Sequence, residues 1–323
     1  MKKTLITLSL LLVAMTSVMA QHIGTEYRLK KVIPVVGRQG IAIDENYYYV
    51  SDTKGLYKYD KEGNLLMSNK QPFQNPEKAN HFGDIDIFNG EIYCGLEKFE
   101  YGRGYNIAVS VYDAETLQWK RDIPWSAESG QVEVSGLAID REKNMVWMSD
   151  WVDSRYVYCY SLETGQYYTK MQCRPTPYWC QGIFIADGKM LFSADDGEST
   201  YHIADNIYIA DISEVPFTGL VEGTEVVKDT PFSVKLDKKG NVVTRKGLIA
   251  GGAKAGKLEL FREMNDFRRT GEIEGLSIDP TNDDLVVLNN RGTQIILGMS
   301  QGPFKEEGYT EEIHELYVYE RVK

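Results

Sequence analysis

The sequence predicts an all-β fold, a β-propeller of six four-stranded blades built as one domain behind an export signal. Two observations carry this. A short apolar strand motif recurs along the chain, and each copy is followed by further short strands separated by turn residues. The motif is clearest at Ser135-Gly136-Leu137-Ala138-Ile139-Asp140. Close copies stand at Gln39-Gly40-Ile41-Ala42-Ile43-Asp44, Gln181-Gly182-Ile183-Phe184-Ile185 and Glu274-Gly275-Leu276-Ser277-Ile278-Asp279, with a looser one at Gly83-Asp84-Ile85-Asp86-Ile87. The glycines fall at 40, 83, 136, 182 and 275, so the steps are 43, 53, 46 and 93, the last about twice the others.

From the start of the chain, residues 1–20 read as a secretory signal peptide. Lys2 and Lys3 form its charged end, residues 5–13 its apolar core, and Val18-Met19-Ala20 its cleavage site. That core is too short to span a bilayer. The expectation is an exported protein, periplasmic or secreted, with residues 21–323 forming a single propeller domain. The formal charge is −11, and loss of the two lysines makes it more negative. Such a surface repels phosphate backbones and anionic lipid. Nucleic acid and membrane insertion are therefore not expected, which leaves small cations, neutral carbohydrate or basic peptides.

The first repeat supplies strands at 40–44, 47–51, 56–59 and 65–68, with Asn, Asp and Gly in the turns between them. The second reads 85–88, 91–96, 107–112 and 117–121, and the third 136–139, 145–149, 156–161 and 167–172. The fourth shows 182–185, 190–193 and 206–209. The doubled step then holds the rest of the fourth unit and a degenerate fifth, with strand candidates at 226–227, 232–236, 241–244 and 257–261. The last unit opens at Gly275 and continues at 284–288, 294–297 and 315–319; residues 26–36 supply its closing strand and seal the ring. Five blades with one large insertion is the alternative. Cys94 and Cys159 fall inside strands and read as small buried side chains. Cys173 and Cys180 flank a loop stiffened by Pro175 and Pro177, and either close a short disulfide or remain thiols.

In a propeller the turn entering the first strand of each blade and the turn leaving the second open on one face, around the mouth of the central channel. The entering turns bring Arg38 and Gln39, His81, Glu133 and Ser135, Trp179 and Gln181, and Glu272 and Glu274. The second-strand ends bring Asp52, Glu97, Asp150 with Trp151, Asp195 with Asp196, and Asn289 with Asn290. Carboxylates and amides in a ring are what a hard cation such as calcium requires. Trp151 and Trp179 beside them suit neutral carbohydrate, through ring stacking and hydrogen bonds. Trp119 and Trp147 lie inside strands and are assigned to the core. His81 is the one histidine in an entering turn, and so the candidate general base.

The recurring Gly-Ile/Leu-x-Ile-Asp strand, followed by a strand ending in Ser-Asp, resembles six-bladed propellers of the NHL and gluconolactonase-like group. Through Gln39-Gly40-Ile41 it is also similar to the first blades of bacterial five-bladed glutaminyl cyclases. The gluconolactonase resemblance implies a divalent cation at the mouth, held here by Glu274, Asp150, Asp195 and Asn290, although that group's Glu-Gly-Pro is Glu274-Gly275-Leu276 in this chain. The leading expectation is binding of a small molecule or glycan at the mouth by Arg38, Gln39, Trp151, Trp179 and Gln181. The alternatives are a metal-dependent lactonase or esterase at the same place, and a protein-interaction scaffold.

Overall fold

The computed structural model describes residues 21–151, 153–196, 204–213, 220–230, 233–250, 256–267, 271–292 and 311–322. The signal-peptide reading of residues 1–20 and the strand expected at 294–297 lie outside the described residues. Apolar runs broken by Asp, Asn and Gly fold as antiparallel strands whose turns are held by the acidic residues themselves. Asp44 accepts bonds from the backbone N–H groups of Asn46 and Tyr47, both at 2.7 Å, and Asp60 does the same for Glu62 and Asn64.

After β1 (Tyr27–Pro34), the first blade is β2 (Ile41–Ile43), β3 (Tyr47–Asp52), β4 (Gly55–Asp60) and β5 (Leu65–Asn69), hydrogen-bonded in that order. The second is β6 (His81–Phe88), β7 (Glu91–Glu100), β8 (Arg103–Asp113) and β9 (Trp119–Pro124). The third is β10 (Leu137–Asp140), β11 (Met145–Ser149), β12 (Tyr156–Ser161) and β13 (Tyr167–Arg174). The fourth begins β14 (Cys180–Ala186), β15 (Lys189–Ala194), β16 (Asn206–Asp211). The chain then leaves the blade through β17 (Leu220–Val226), β18 (Lys228–Thr230), β19 (Ser233–Val234) and β20 (Thr244–Ala250), where β17 pairs β20 and β18 pairs β19. It touches the third blade as β21 (Gly256–Lys257), parallel to β13, and returns to the fourth as its outer strand, β22 (Glu259–Glu263). The fifth blade is β23 (Gly271–Ile278), β24 (Leu285–Arg291), β25 (Ile313–Arg321) and, on its outside, β1.

The propeller therefore has five blades, not six, and the doubled glycine step is an insertion within blade four. Spacing between first strands counts residues. It cannot separate a whole blade from an excursion placed between a blade's third and fourth strands. The candidate at 257–261 is the fourth strand of blade four, two residues on, while 226–227, 241–244 and the described part of 232–236 belong to the inserted arm. Closure by the N-terminal strand is as expected: β1 runs antiparallel to β25 from Tyr27 opposite Arg321 to Pro34 opposite Glu315.

The inner strands β2, β6, β10, β14 and β23 neighbour one another in a closed ring. Five apolar clusters fill the five gaps between blades. Trp147, Tyr160, Phe192 and Tyr319 are among their fully buried members, each worth about 1.5–3 kcal/mol. Trp119 departs from its assignment: it lies on an outer strand, half exposed, with its indole N–H on Asp122. The four cysteines are buried thiols, and Cys173 and Cys180 are not joined.

The repeated glycine is explained at the axis. A Cβ on Gly182 would lie 2.7 Å from the Cα of Gly275, and one on Gly275 2.7 Å from the Cα of Gly40. Only glycine permits that approach. Among these glycines sits the carboxyl of Asp84, from the divergent copy in blade two. It accepts the N–H groups of Ile85 (2.8 Å) and Ile183 (3.2 Å), and a Cβ on Gly40 or Gly275 would strike it. Burial holds its proton affinity well above the usual carboxylate range.

Candidate functional site

At the mouth the chain leaves a cavity of about 170 Å³ lined by Arg38, Gln39, Thr53, His81, Phe99, Glu133, Ser135, Trp151, Gln181, Glu272 and Glu274. Six of the ten residues singled out from the sequence line it: Arg38, Gln39, His81, Trp151, Gln181 and Glu274. The repeat explains the convergence. Each entering turn must drop onto an inner strand at the axis, so residues beside the motif glycine face a common space. In blade one the N–H groups of Arg38 and Gln39 both bond the Ser51 carbonyl at 3.0 Å, which fixes that turn.

The cavity combines three buried carboxyls with one guanidinium. Glu133 is 4 % exposed, Glu272 6 % and Glu274 2 %. Burial, reinforced by the neighbouring Glu97 and Asp150, pushes the Glu133 carboxyl well above its ordinary range. Burial and the charge of Glu272 do the same for Glu274, against the opposing pull of Arg38. Glu272 is raised by burial and partly restored by Arg38 and by the Gln181 amide, which donates to it at 2.9 Å. The Arg38 guanidinium stands 3.7 Å from Glu272 and donates no hydrogen bond among the described residues, and its Nε is buried without a partner. An unsatisfied guanidinium beside under-satisfied carboxyl oxygens is costly in a low-dielectric space unless a ligand completes it.

His81 and Glu97 form a dyad at one wall. Nδ1 of His81 lies 2.9 Å from Oε1 of Glu97, whose other oxygen accepts the Val134 N–H at 3.0 Å. Phe99 packs its ring on the imidazole at 5.4 Å between centroids. Sequence reasoning named Glu97 only as a strand end and missed its pairing. The signal was available, because an antiparallel hairpin places the start of a blade's first strand opposite the end of its second, and here His81 faces Glu97. Thr53 and Phe99 carried no comparable signal.

Trp179 does not line the cavity but stacks on Trp151, with centroids 6.3 Å apart and planes at 27°. The exposed Tyr178 continues the aromatic run at 6.3 Å from Trp179. Trp179 holds φ +46°, a region a bulky side chain rarely occupies. Its surroundings impose this: the Tyr178 N–H bonds Asp196, the Trp179 carbonyl accepts the Asp195 N–H, and the Cys180 N–H bonds the Ser154 hydroxyl. That hydroxyl also donates to the Trp151 carbonyl at 2.8 Å, which ties the two tryptophan loops together.

The four residues carried over as metal ligands are not presented as one shell. Asp150 accepts the N–H groups of Val132 and Glu133 on one oxygen and the Tyr158 hydroxyl on the other, all at 3.1 Å. Its carboxyl is pushed to about 8 by burial. Asp195 hydrogen-bonds Asp205, whose carboxyl burial likewise raises to about 8. Asn290 donates to Glu274 at 2.7 Å and to the Arg38 carbonyl at 2.9 Å, and its oxygen faces His314. Among the described residues no group of three or more His, Cys, Asp or Glu side chains is arranged to hold a metal ion. Asp150 and Asn290 are each engaged by neighbours that hold the mouth in shape.

No family model and no curated protein matches the chain. Among solved structures it is similar to the glutaminyl cyclase of Myxococcus xanthus, with 10 % identity and a TM-score of 0.49 over 90 % of this chain and 97 % of that one. It is also similar to a chain of the mitotic checkpoint complex (9 % identity, TM-score 0.43, all of both chains) and to the WD40 repeats of RRP9 (9 % identity, TM-score 0.38, 87 % of this chain and 67 % of that one). At such identities the likeness carries no activity across. The sheet order and the closed ring of inner strands define this chain as a propeller.

Proposed function

We propose that the mouth binds a neutral carbohydrate, one ring of which enters the cavity. The observation that carries this is the pairing of free donors with free acceptors around a space of one-ring size. The Arg38 guanidinium donates no hydrogen bond among the described residues, while buried Glu133 and Glu274 each have one carboxyl oxygen engaged, by the Trp151 N–H and the Asn290 amide. Sugar hydroxyls both donate and accept, so a polyol can complete both sets without bringing net charge into a poorly hydrated cavity. Phe99 and Trp151 line the walls, and Trp179 and Tyr178 extend the aromatic run outward for further sugar units. The test is a binding screen of mono- and oligosaccharides by calorimetry, with Trp151→Ala and Glu274→Gln as controls. A sugar that binds the parent protein and loses about tenfold or more in both variants supports the reading. Absence of binding across the screen, or equal binding in the variants, removes it.

A second reading rests on the His81–Glu97 dyad beside a raised Glu133. A base held by a carboxylate, lining the same cavity as a carboxyl whose proton affinity burial raises, is an acid–base pair able to act on a bound ligand. Turnover of any bound sugar derivative that disappears in His81→Ala, with affinity retained, would make the site catalytic.

A further inference from the structure

The arm inserted in blade four reverses the charge of the molecule. Between 235 and 246 it carries Lys235, Lys238, Lys239, Arg245 and Lys246 against the single acid Asp237, in a chain of net charge −11. Asp237 is consumed as a turn cap, accepting the N–H groups of Lys239 and Asn241 and the Asn241 amide. Lys235, Lys238, Lys239 and Lys246 are exposed and have no ion-pair partner among the described residues. Directly behind the turn, Leu236 and Val242 face each other as a cross-strand pair, 53 % and 48 % exposed. Cross-strand partners share one face, so this is an apolar point framed by lysines.

We propose that the arm docks the protein on a bilayer surface rich in anionic lipid headgroups. The lysines supply attraction to the charged layer, and Leu236 with Val242 enters the headgroup–acyl boundary, which a soluble polyanion does not offer. The acidic body does not oppose this. The β17–β20 ladder pairs seven residues, from Leu220 opposite Ala250 to Val226 opposite Thr244, and so is about 23 Å long. Every residue from 235 to 246 except the half-buried Val243 is exposed, so the lysines stay open to a facing surface even though β20 packs against β13 of blade three. Charges farther than a Debye length of about 8 Å from the surface are screened in physiological salt.

The experiment is co-sedimentation of the full chain with vesicles of phosphatidylcholine alone and of phosphatidylcholine mixed with phosphatidylglycerol. The expected result is binding to the anionic vesicles only. It should fall by about a hundredfold when Lys235, Lys238, Lys239 and Lys246 are all changed to Gln, and return when all four are Arg instead. The double variant Leu236→Ser with Val242→Ser should lose about tenfold on vesicles and nothing on dextran sulfate beads. Failure of the parent chain to sediment with anionic vesicles overturns the proposal, as does binding indifferent to either set of substitutions. Loss with the lysines alone, matched on dextran sulfate and unaffected by the Leu236 and Val242 changes, assigns the arm to a soluble polyanion and overturns the lipid reading.

Discussion

At the mouth, Glu133, Glu272 and Glu274 sit almost wholly out of water, and their proton affinities rise because burial penalises the charged form. On the arm, Lys235, Lys238, Lys239 and Lys246 stand exposed to solvent. The acids are built into the fold: Glu272 is wired through Gln181 to blade four, Glu274 through Asn290 to the Arg38 carbonyl of blade one, and Glu133 to the Trp151 N–H of its own blade. The lysines are built onto it. The same chain thus uses charge as architecture in one region and as a field in another, and the two should answer differently to every perturbation.

The largest difference should come from removing acids that the fold depends on. Asp84→Ala leaves the N–H groups of Ile85 and Ile183 without partners at the axis, and should cost about 3 kcal/mol in urea unfolding. The quadruple Lys→Gln arm variant should stay within about 0.5 kcal/mol of the parent in the same measurement. An arm variant as damaged as the Asp84 variant would break the contrast.

The pH response should separate them next. Asp150 and Asp205, each held at about 8, ionise in the unfolded chain near the ordinary carboxylate value and in the folded chain far above it. Their contribution is fully present below the unfolded value and is lost as pH rises towards 8. The melting temperature should therefore fall between about pH 5 and pH 8, with a shallower slope in Asp150→Asn. Vesicle binding through the exposed lysines should be flat over that range. A melting temperature that rises with pH would contradict the burial argument.

The smallest expected effect is that of salt on the mouth. Raising ionic strength should weaken vesicle binding steeply while sugar affinity changes by less than about twofold, because buried groups are screened little.

The repeat was legible because close packing at the axis admits only glycine at 40, 136, 182 and 275, and the entering-turn residues follow from that geometry. Blade number was not, since an insertion between β16 and β22 has the same length as a blade. The looser copy at Gly83-Asp84 looked like a decayed motif, yet its aspartate is the residue the other inner strands pack around. Asp150 and Asn290 carried the right chemistry for a metal, but the backbone N–H groups and neighbours that engage them are contributed by chain segments whose proximity only the fold reveals. The arm's lysines were visible, but a whole-chain charge averages them away.

Asp84 has one more consequence. Its carboxyl lies among Gly40, Gly182 and Gly275 and so narrows the axis beneath the mouth. A narrowed axis favours entry and exit by the same rim. Under the proposed sugar binding, a long polymer would then dip one end into the cavity, and its terminal unit, rather than any interior one, would be the part that is read.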